Sequence, residues 1–534
     1  MHSSPAHRAS DDLESRIGSH WLNRLGIAAV LVGVSFFLDY AFENNWIGPS
    51  ARVVIGLFAG IAVVLWSERF RKRGYDIFSY SLKAVGIGVL YLSLWASFQV
   101  YHLLPANVVF AAMIVVTAST CALAIAQNAE LIAIFAIAGG FATPALLSTG
   151  ENHEIVLFSY VAVLDLALVV LTAIKPWRRI AILGFIGTLT YYVSWYNTFY
   201  DRTQLTPTFV FATLFFAIFA AAPLLLLRHS KDGAIPLALT FGNGVTYFLQ
   251  GYVMLISISA NETAWFALSL AAAYLLLIRL TPAASDAASS LRLMHLALAM
   301  GLITVAIPIR LEGHSITIGW LVESAALLWV AARLKSALLH AFALTALGLG
   351  VGRLLLWDNF SPATLLFNER MGIYVIAIAA LGYAAYENDN QEDEVQQKIA
   401  AAAIVALNVV ALRGLSLEVA DYYSRQMAAG TYWTPRALLQ RRSVLIARDF
   451  TYSALWMAYG AMLMIVGFWR NSAFVRWQAL VLIALTVVKV FVYDTSQLDH
   501  IYRIVSFIAL GILLLTVSFA YQRNWLKLPS VKAS

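Results

Sequence analysis

Apolar stretches of roughly twenty residues follow one another along almost the whole chain, the length needed to cross a ~30 Å hydrocarbon core. Polar breaks of a few residues separate them. A membrane β-barrel would alternate apolar and polar positions instead, and no such alternation occurs. Backbone groups inside lipid must be satisfied within their own segment, so the pattern predicts an all-α fold, a polytopic transmembrane helical bundle. About eighteen spans are predicted on this length criterion. They start near Trp21, Ala51, Ile77, Leu104, Leu131, Ile155, Ile180, Thr208, Ala234, Thr263, Leu291, Ser315, Ala337, Arg370, Lys398, Asp449, Phe474 and Leu498. Short breaks make consecutive helices antiparallel neighbours.

The breaks also carry an orientation. Basic residues cluster at every second one: Arg69, Arg71, Lys72 and Arg73; Lys175, Arg178 and Arg179; Arg228 and Lys231; Arg333 and Lys335; Arg470 and Arg476. The breaks near Asn44, Pro105, Asn152 and Asn261 have almost none. Lys and Arg are retained on the cytoplasmic side, which with an even span count predicts cytoplasmic N and C termini. The expected organisation is a cytoplasmic segment 1–20, a single membrane domain 21–523 and a cytoplasmic tail 524–534. Leu13, Ile17 and Trp21 share one helical face and suggest a short interfacial helix before the first span. Two breaks depart from the pattern. Residues 387–394 (ENDNQEDE) are acidic on the expected cytoplasmic side, a solvated loop favouring the next helix start. Residues 419–447 form the longest break, expected outside, yet hold Arg425, Arg436, Arg441 and Arg442 among aromatics, as in an interfacial or re-entrant element.

Composition narrows the chemistry. Hydrophobic residues make up 61% of the chain and charged ones 12%, so no soluble domain is visible. The net charge of +7 is a topology signal, with no nucleic-acid partner implied. One cysteine, Cys121, excludes an internal disulfide and argues against thiolate metal sites. No phosphate loop, HExxH or GxSxG motif occurs, so neither a cofactor nor a metal is expected and an enzyme is disfavoured. The expected surroundings are the bilayer and a lipid or small-solute substrate.

Candidate functional residues are ionisable groups in apolar runs, costly in lipid without a partner or a role. Asp165 sits in the middle of YVAVLDLALVVL; it is a proton or cation carrier, or a carboxyl packed on hydroxyls of another helix. Glu323 in GWLVESAALLWVAARL and Arg353 on the following span lie at comparable depth and make an expected interhelical pair. Lys489, Asp494, Asp499, His500 and Arg503 gather at the last hairpin. There Ser496 to Asp499 has the form of a capping box, and Asp499 and Arg503 form an i,i+4 ion pair, or the group recognises a polar substrate. Gly139, Gly140 and Pro144 interrupt the fifth span, as a kink or as the lining of a transport site. Gly56-x-x-x-Gly60 and Gly348-x-x-x-Gly352 predict close helix contacts.

WLNRLGIAAVLVGVSFFLDYAFENNWIGPSARVVIGL, ERFRKRGY, KAVGIGVLYLSLWASF and AIAGGFATPALLSTG, together with the C-terminal KVFVYDTSQLDHIYRIVSFIALGILLLTVSFAYQR and the span WLVESAALLWV, resemble the bacterial family known as domain of unknown function 2339. The resemblance covers roughly the first 150 and last 75 residues and implies a plasma-membrane helical bundle, without an activity or catalytic residues. The chain departs from that family's pattern in lacking a long N-terminal extension and in having Asp39 where a basic residue is common. Three function classes follow: a transporter of a small solute or lipid, proton-coupled through Asp165; an outward-facing enzyme or binding protein acting on lipid-linked envelope components; or a membrane scaffold.

Overall fold

The computed structural model describes residues 48–494, except 176, 228–232, 282–284, 390–392 and 429–434, together with scattered positions near each end of the chain. Side chains of 435–440, 492 and 494 are also outside the description. Only scattered positions of the first span from Trp21 and of the last span from Leu498 are described, and the interfacial helix before the first, together with His500, the capping box and the ion pair, lies outside the described residues.

Sixteen α-helices and no strands occur among the described residues. Each predicted span start from Ala51 to Phe474 falls in or beside one of them. Eleven are long and apolar enough to cross a membrane, and no more than 44% of any of their apolar windows is buried in the protein. Phe58, Leu65, Trp265 and Ile465 are all at least 62% exposed. Burial that leaves such side chains outside makes sense where the surrounding solvent is hydrocarbon.

The chain divides into two compact units, 1–299 and 300–534. The first holds α1 (Pro49–Arg71), α2 (Asp76–Trp95), α3 (Ala106–Gln127), α4 (Glu130–Leu146), α5 (Glu154–Ile174), α6 (Arg178–Phe199), α7 (Leu205–Leu226), α8 (Ala234–Ile256) and α9 (Ala260–Leu280). The breaks have local causes. Asn128 takes a left-handed conformation (φ 50°), which Asn tolerates, and turns α3 into α4 within two residues. Asp201 forms a capping box with Gln204 ahead of α7, and the Ser259 hydroxyl caps α9. The α1–α2 hairpin closes on two glycines: a Cβ on Gly60 would sit 2.9 Å from the Gly86 carbonyl, and one on Gly86 would sit 2.8 Å from the Gly60 carbonyl. Gly56 packs on Ser93, so the expected Gly56-x-x-x-Gly60 contact is present. Phe158 forms an aromatic centre, its ring 5.2–5.8 Å from those of Tyr192, Trp195, Phe211 and Phe215.

Helix α10 (Asp286–Arg310) carries the division between the units. The second unit continues with α11 (Ser315–Leu334), α12 (Ala337–Leu356), α13 (Glu369–Asp389), α14 (Glu394–Ala428), α15 (Pro435–Trp469) and α16 (Ala473–Lys489), whose end widens into a π-turn, Val490–Asp494. Its core joins Leu321, Leu328, Leu347, Tyr374 and Val410. Two expectations are corrected here. Gly348 and Gly352 face open space, and it is Gly350 between them that packs on Leu321. Residues 419–447 are not a loop: α14 runs to Ala428 and α15 starts at Pro435, each 35 residues long. Of the polar residues that suggested a break, Tyr423 and Arg425 are helical and partnered, Tyr423 on Thr451 at 2.7 Å and Arg425 on the Ala363 carbonyl at 2.8 Å. The acidic stretch is only in part the expected solvated loop: residues 387–389 end α13, with Asn388 fully buried, while α14 begins at Glu394, which pairs with Lys398 at 2.7 Å.

Candidate functional site

Proline at position 144 cannot donate to the Gly140 carbonyl one turn earlier, so that acceptor needs another partner. The Tyr160 hydroxyl on α5 supplies it at 2.8 Å. One residue on, the Tyr191 hydroxyl of α6 donates to the Phe141 carbonyl and accepts from the Ala145 amide at 3.3 Å. Thr143 donates to the Gly139 carbonyl at 3.0 Å. Gly139 is required by proximity, because a Cβ there would lie 2.6 Å from the Tyr91 ring, whose hydroxyl is 2.5 Å from Thr117. The weak point of α4 is therefore ringed by hydroxyls from α2, α3, α5 and α6.

Beside it lies a cavity of about 680 Å³ formed at one end of α3, α4, α5 and α6. Pro144, Tyr160 and Tyr191 line its floor, with Phe110, Trp195 and His153 among its walls. The Trp195 indole is held by Asn152 at 2.9 Å. The volume suits a small organic molecule, and the walls combine aromatic faces with a few polar groups. Because the helices alternate in direction, this is the end opposite Arg69, Arg71 and Lys72.

Asp165 lies on α5, five residues deeper than Tyr160, which is about 7.5 Å along the helix. It is fully buried. Its Oδ2 accepts from Thr188 of α6 at 2.7 Å, whereas Oδ1 has no protein partner. Asp165 does not line the cavity; it forms the polar layer beneath it. Sequence thus identified Pro144, both glycines and Asp165, and the fold brings them into one column. The tyrosines completing that column carry no charge, and among 24 tyrosines nothing marks them.

The remaining candidates are dispersed. Glu323 and Arg353 do not pair. Thr304 donates to Glu323 Oε1 at 2.8 Å, and Glu323 borders an apolar groove of about 670 Å³ between the ends of α10 and α11. Arg353 meets Asp358 at 3.4 Å and the Gly313 carbonyl at 3.2 Å. Equal depth does not fix which way each helix faces. Lys489 donates to the Asp449 carbonyl at 3.0 Å and to Ser453 at 2.8 Å. The Asp494 side chain, Asp499 and Arg503 are outside the described residues.

Two charged clusters join these. Lys83, wholly buried on α2, contacts Glu68 and Gln127, each at 2.7 Å, and Ser79 at 3.0 Å; Arg71 also reaches Glu68, at 2.8 Å. Lys83 bears the same signal as Asp165, a lone charge in an apolar run. In the second unit Arg370 bridges Glu418 at 2.6 Å and Asp421 at 2.7 Å, while Glu418 accepts from Asn368 and the Leu366 amide. No group of three metal-ligating side chains occurs among the described residues.

Fold and polar column together define a multi-pass helical membrane protein. A family model described as "Predicted membrane protein (DUF2339)" matches residues 18–386 and 356–524, and the chain belongs to that family. No curated protein and no solved structure matches the chain.

Proposed function

We propose that this protein acts as a transporter-like carrier in a bacterial plasma membrane, with both termini cytoplasmic, taking a small solute or lipid into the cavity beside Pro144 from the outward side. The observation that carries this reading is the coincidence of a proline in the last turn of the short apolar helix α4, at Pro144, with a cavity of about 680 Å³ against it. Asp165, one layer deeper, is the group through which protons would be coupled. The test compares a deletion strain carrying the wild-type chain with one carrying Ser194→Trp, which fills the cavity. Loss of the chain changes the uptake or lipid profile, and Ser194→Trp fails to restore it although it reaches the membrane. An unchanged profile on deletion, or full restoration by Ser194→Trp, overturns the reading. In a Cys121→Ser background, a cysteine at Arg71 labelled by an impermeant reagent in intact cells reverses the orientation. A second reading, an outward-facing enzyme or binding protein for lipid-linked envelope components, would draw on Glu323, Asp494, Asp499, Arg503 and the basic stretch near Arg436.

A further inference from the structure

The cavity beside Pro144 is selective by what its walls have left to offer. Five aromatic rings line it, those of Phe110, Tyr160, Tyr191, Trp195 and Phe199. Their polar handles are spent. Tyr160 donates to the Gly140 carbonyl, Tyr191 to the Phe141 carbonyl, and the Trp195 indole to Asn152. These side chains therefore present ring surface to the cavity in place of hydrogen-bond donors. Neighbours hold the rings as well: the Phe110 ring lies 5.0 Å from that of Tyr160, and the Trp195 ring 5.2 Å from that of Phe158. A ligand meeting such walls has little reordering to induce.

Charge points the same way. Among the described residues no Lys or Arg lines the cavity, and its one carboxylate is Glu151 at the mouth, 74% exposed and 3.3 Å from the His153 imidazole. The stretches 101–105 and 147–153, which border this end of the helices, hold no Lys or Arg either. In the next break Arg202 follows Asp201 and donates to the Ser257 carbonyl at 3.4 Å. An anion entering here would meet a carboxylate and no cation, and a polyol would find the ring donors taken. A substituted ammonium group suits both features, because aromatic faces attract a cation and its alkyl groups need apolar walls. We propose that this cavity binds a substituted ammonium group, free or on a lipid headgroup, held by the rings of Phe110, Tyr160, Tyr191 and Trp195 with Glu151 as counter-charge at the mouth. Such a ligand is the solute of the carrier reading, on which this assignment rests.

The test titrates radiolabelled choline onto the purified full chain in phosphatidylglycerol nanodiscs, with empty discs as the blank. Wild type binds choline saturably. Neohexyl alcohol, the same shape with carbon in place of nitrogen, competes about tenfold more weakly, and the tert-butylacetate anion does not compete. Glu151→Gln, at an exposed position where folding is not at stake, and Phe110→Leu, which keeps apolar bulk, each weaken choline about three- to tenfold and leave neohexyl alcohol unchanged. Glu262→Gln, an exposed carboxylate at the same end of the helices but outside the lining, changes nothing. Displacement of choline by phosphatidylcholine doped into the discs puts the ammonium on a lipid headgroup, and no displacement puts it on a free solute; either keeps the proposal. Equal competition by neohexyl alcohol, or choline binding that survives Ser194→Trp, overturns it. Neither result touches the deletion strain, whose unchanged profile would refute transport with choline still bound in the cavity.

Discussion

Tyr160→Phe removes one oxygen and, with it, the donor to the Gly140 carbonyl. The carbonyl is then unpaired, because the residue that would normally serve it is Pro144. Hydrogen bonds between membrane helices average about 0.6 kcal/mol and reach about 1.7, while an orphaned buried group costs about 1–3. A loss of about 1–2 kcal/mol follows. The reasoning makes a sharper claim than destabilisation. In a Pro144→Ala background the residue 144 amide can supply the missing bond, so Tyr160→Phe there costs only a few tenths of a kcal/mol and the cycle shows a coupling of about 1 kcal/mol. Steric-trap unfolding in bicelles of the four proteins measures it. If Tyr160→Phe costs the same with alanine at 144, the hydroxyl does not compensate for proline and the account of the break is wrong.

Three further outcomes are expected in the same assay. Glu68→Gln leaves Lys83 buried without its carboxylate and costs about 3–5 kcal/mol, more than Lys83→Met, because Glu68 is part-exposed and keeps Arg71; the reverse order refutes this. Gly86→Ala destabilises by about 1–3 kcal/mol, since its Cβ meets the Gly60 backbone, whereas Gly88→Ala, with open space around it, stabilises by about 0.5–1; effects of one sign contradict it. Arg370→Lys cannot reach Glu418 and Asp421 together and loses about 1.5–3 kcal/mol, one charge-assisted bond; a neutral result shows that the fork geometry is immaterial.

Helix placement was legible because hydrocarbon sets a minimum apolar length, and sixteen predicted starts fall on or within two residues of described helices. The Pro144 break was legible because proline lacks a donor wherever it occurs. What answers it was not: Tyr160 and Tyr191 are 20 and 50 residues from the carbonyls they serve, and a hydroxyl leaves no trace in hydropathy. Glu323 and Arg353 show the limit of depth arguments, because a hundred degrees of rotation per residue decides whom a side chain meets. The same ambiguity misplaced the contact from Gly350 to Gly348 and Gly352. Residues 419–447 misled for another reason: polarity marks where lipid ends, and a helix need not end there.

That last point has a geometric consequence. At 1.5 Å per residue, α14 and α15 are each about 52 Å long. Tilted by 40°, the steep end of what bilayers hold, such a helix still rises about 40 Å along the normal, some 10 Å more than the hydrocarbon. No allowed tilt hides them, so both project into the headgroups or beyond as struts rather than tethers. Whatever approaches the membrane there meets charges whose height is set by helical rise, not by the slack of a loop.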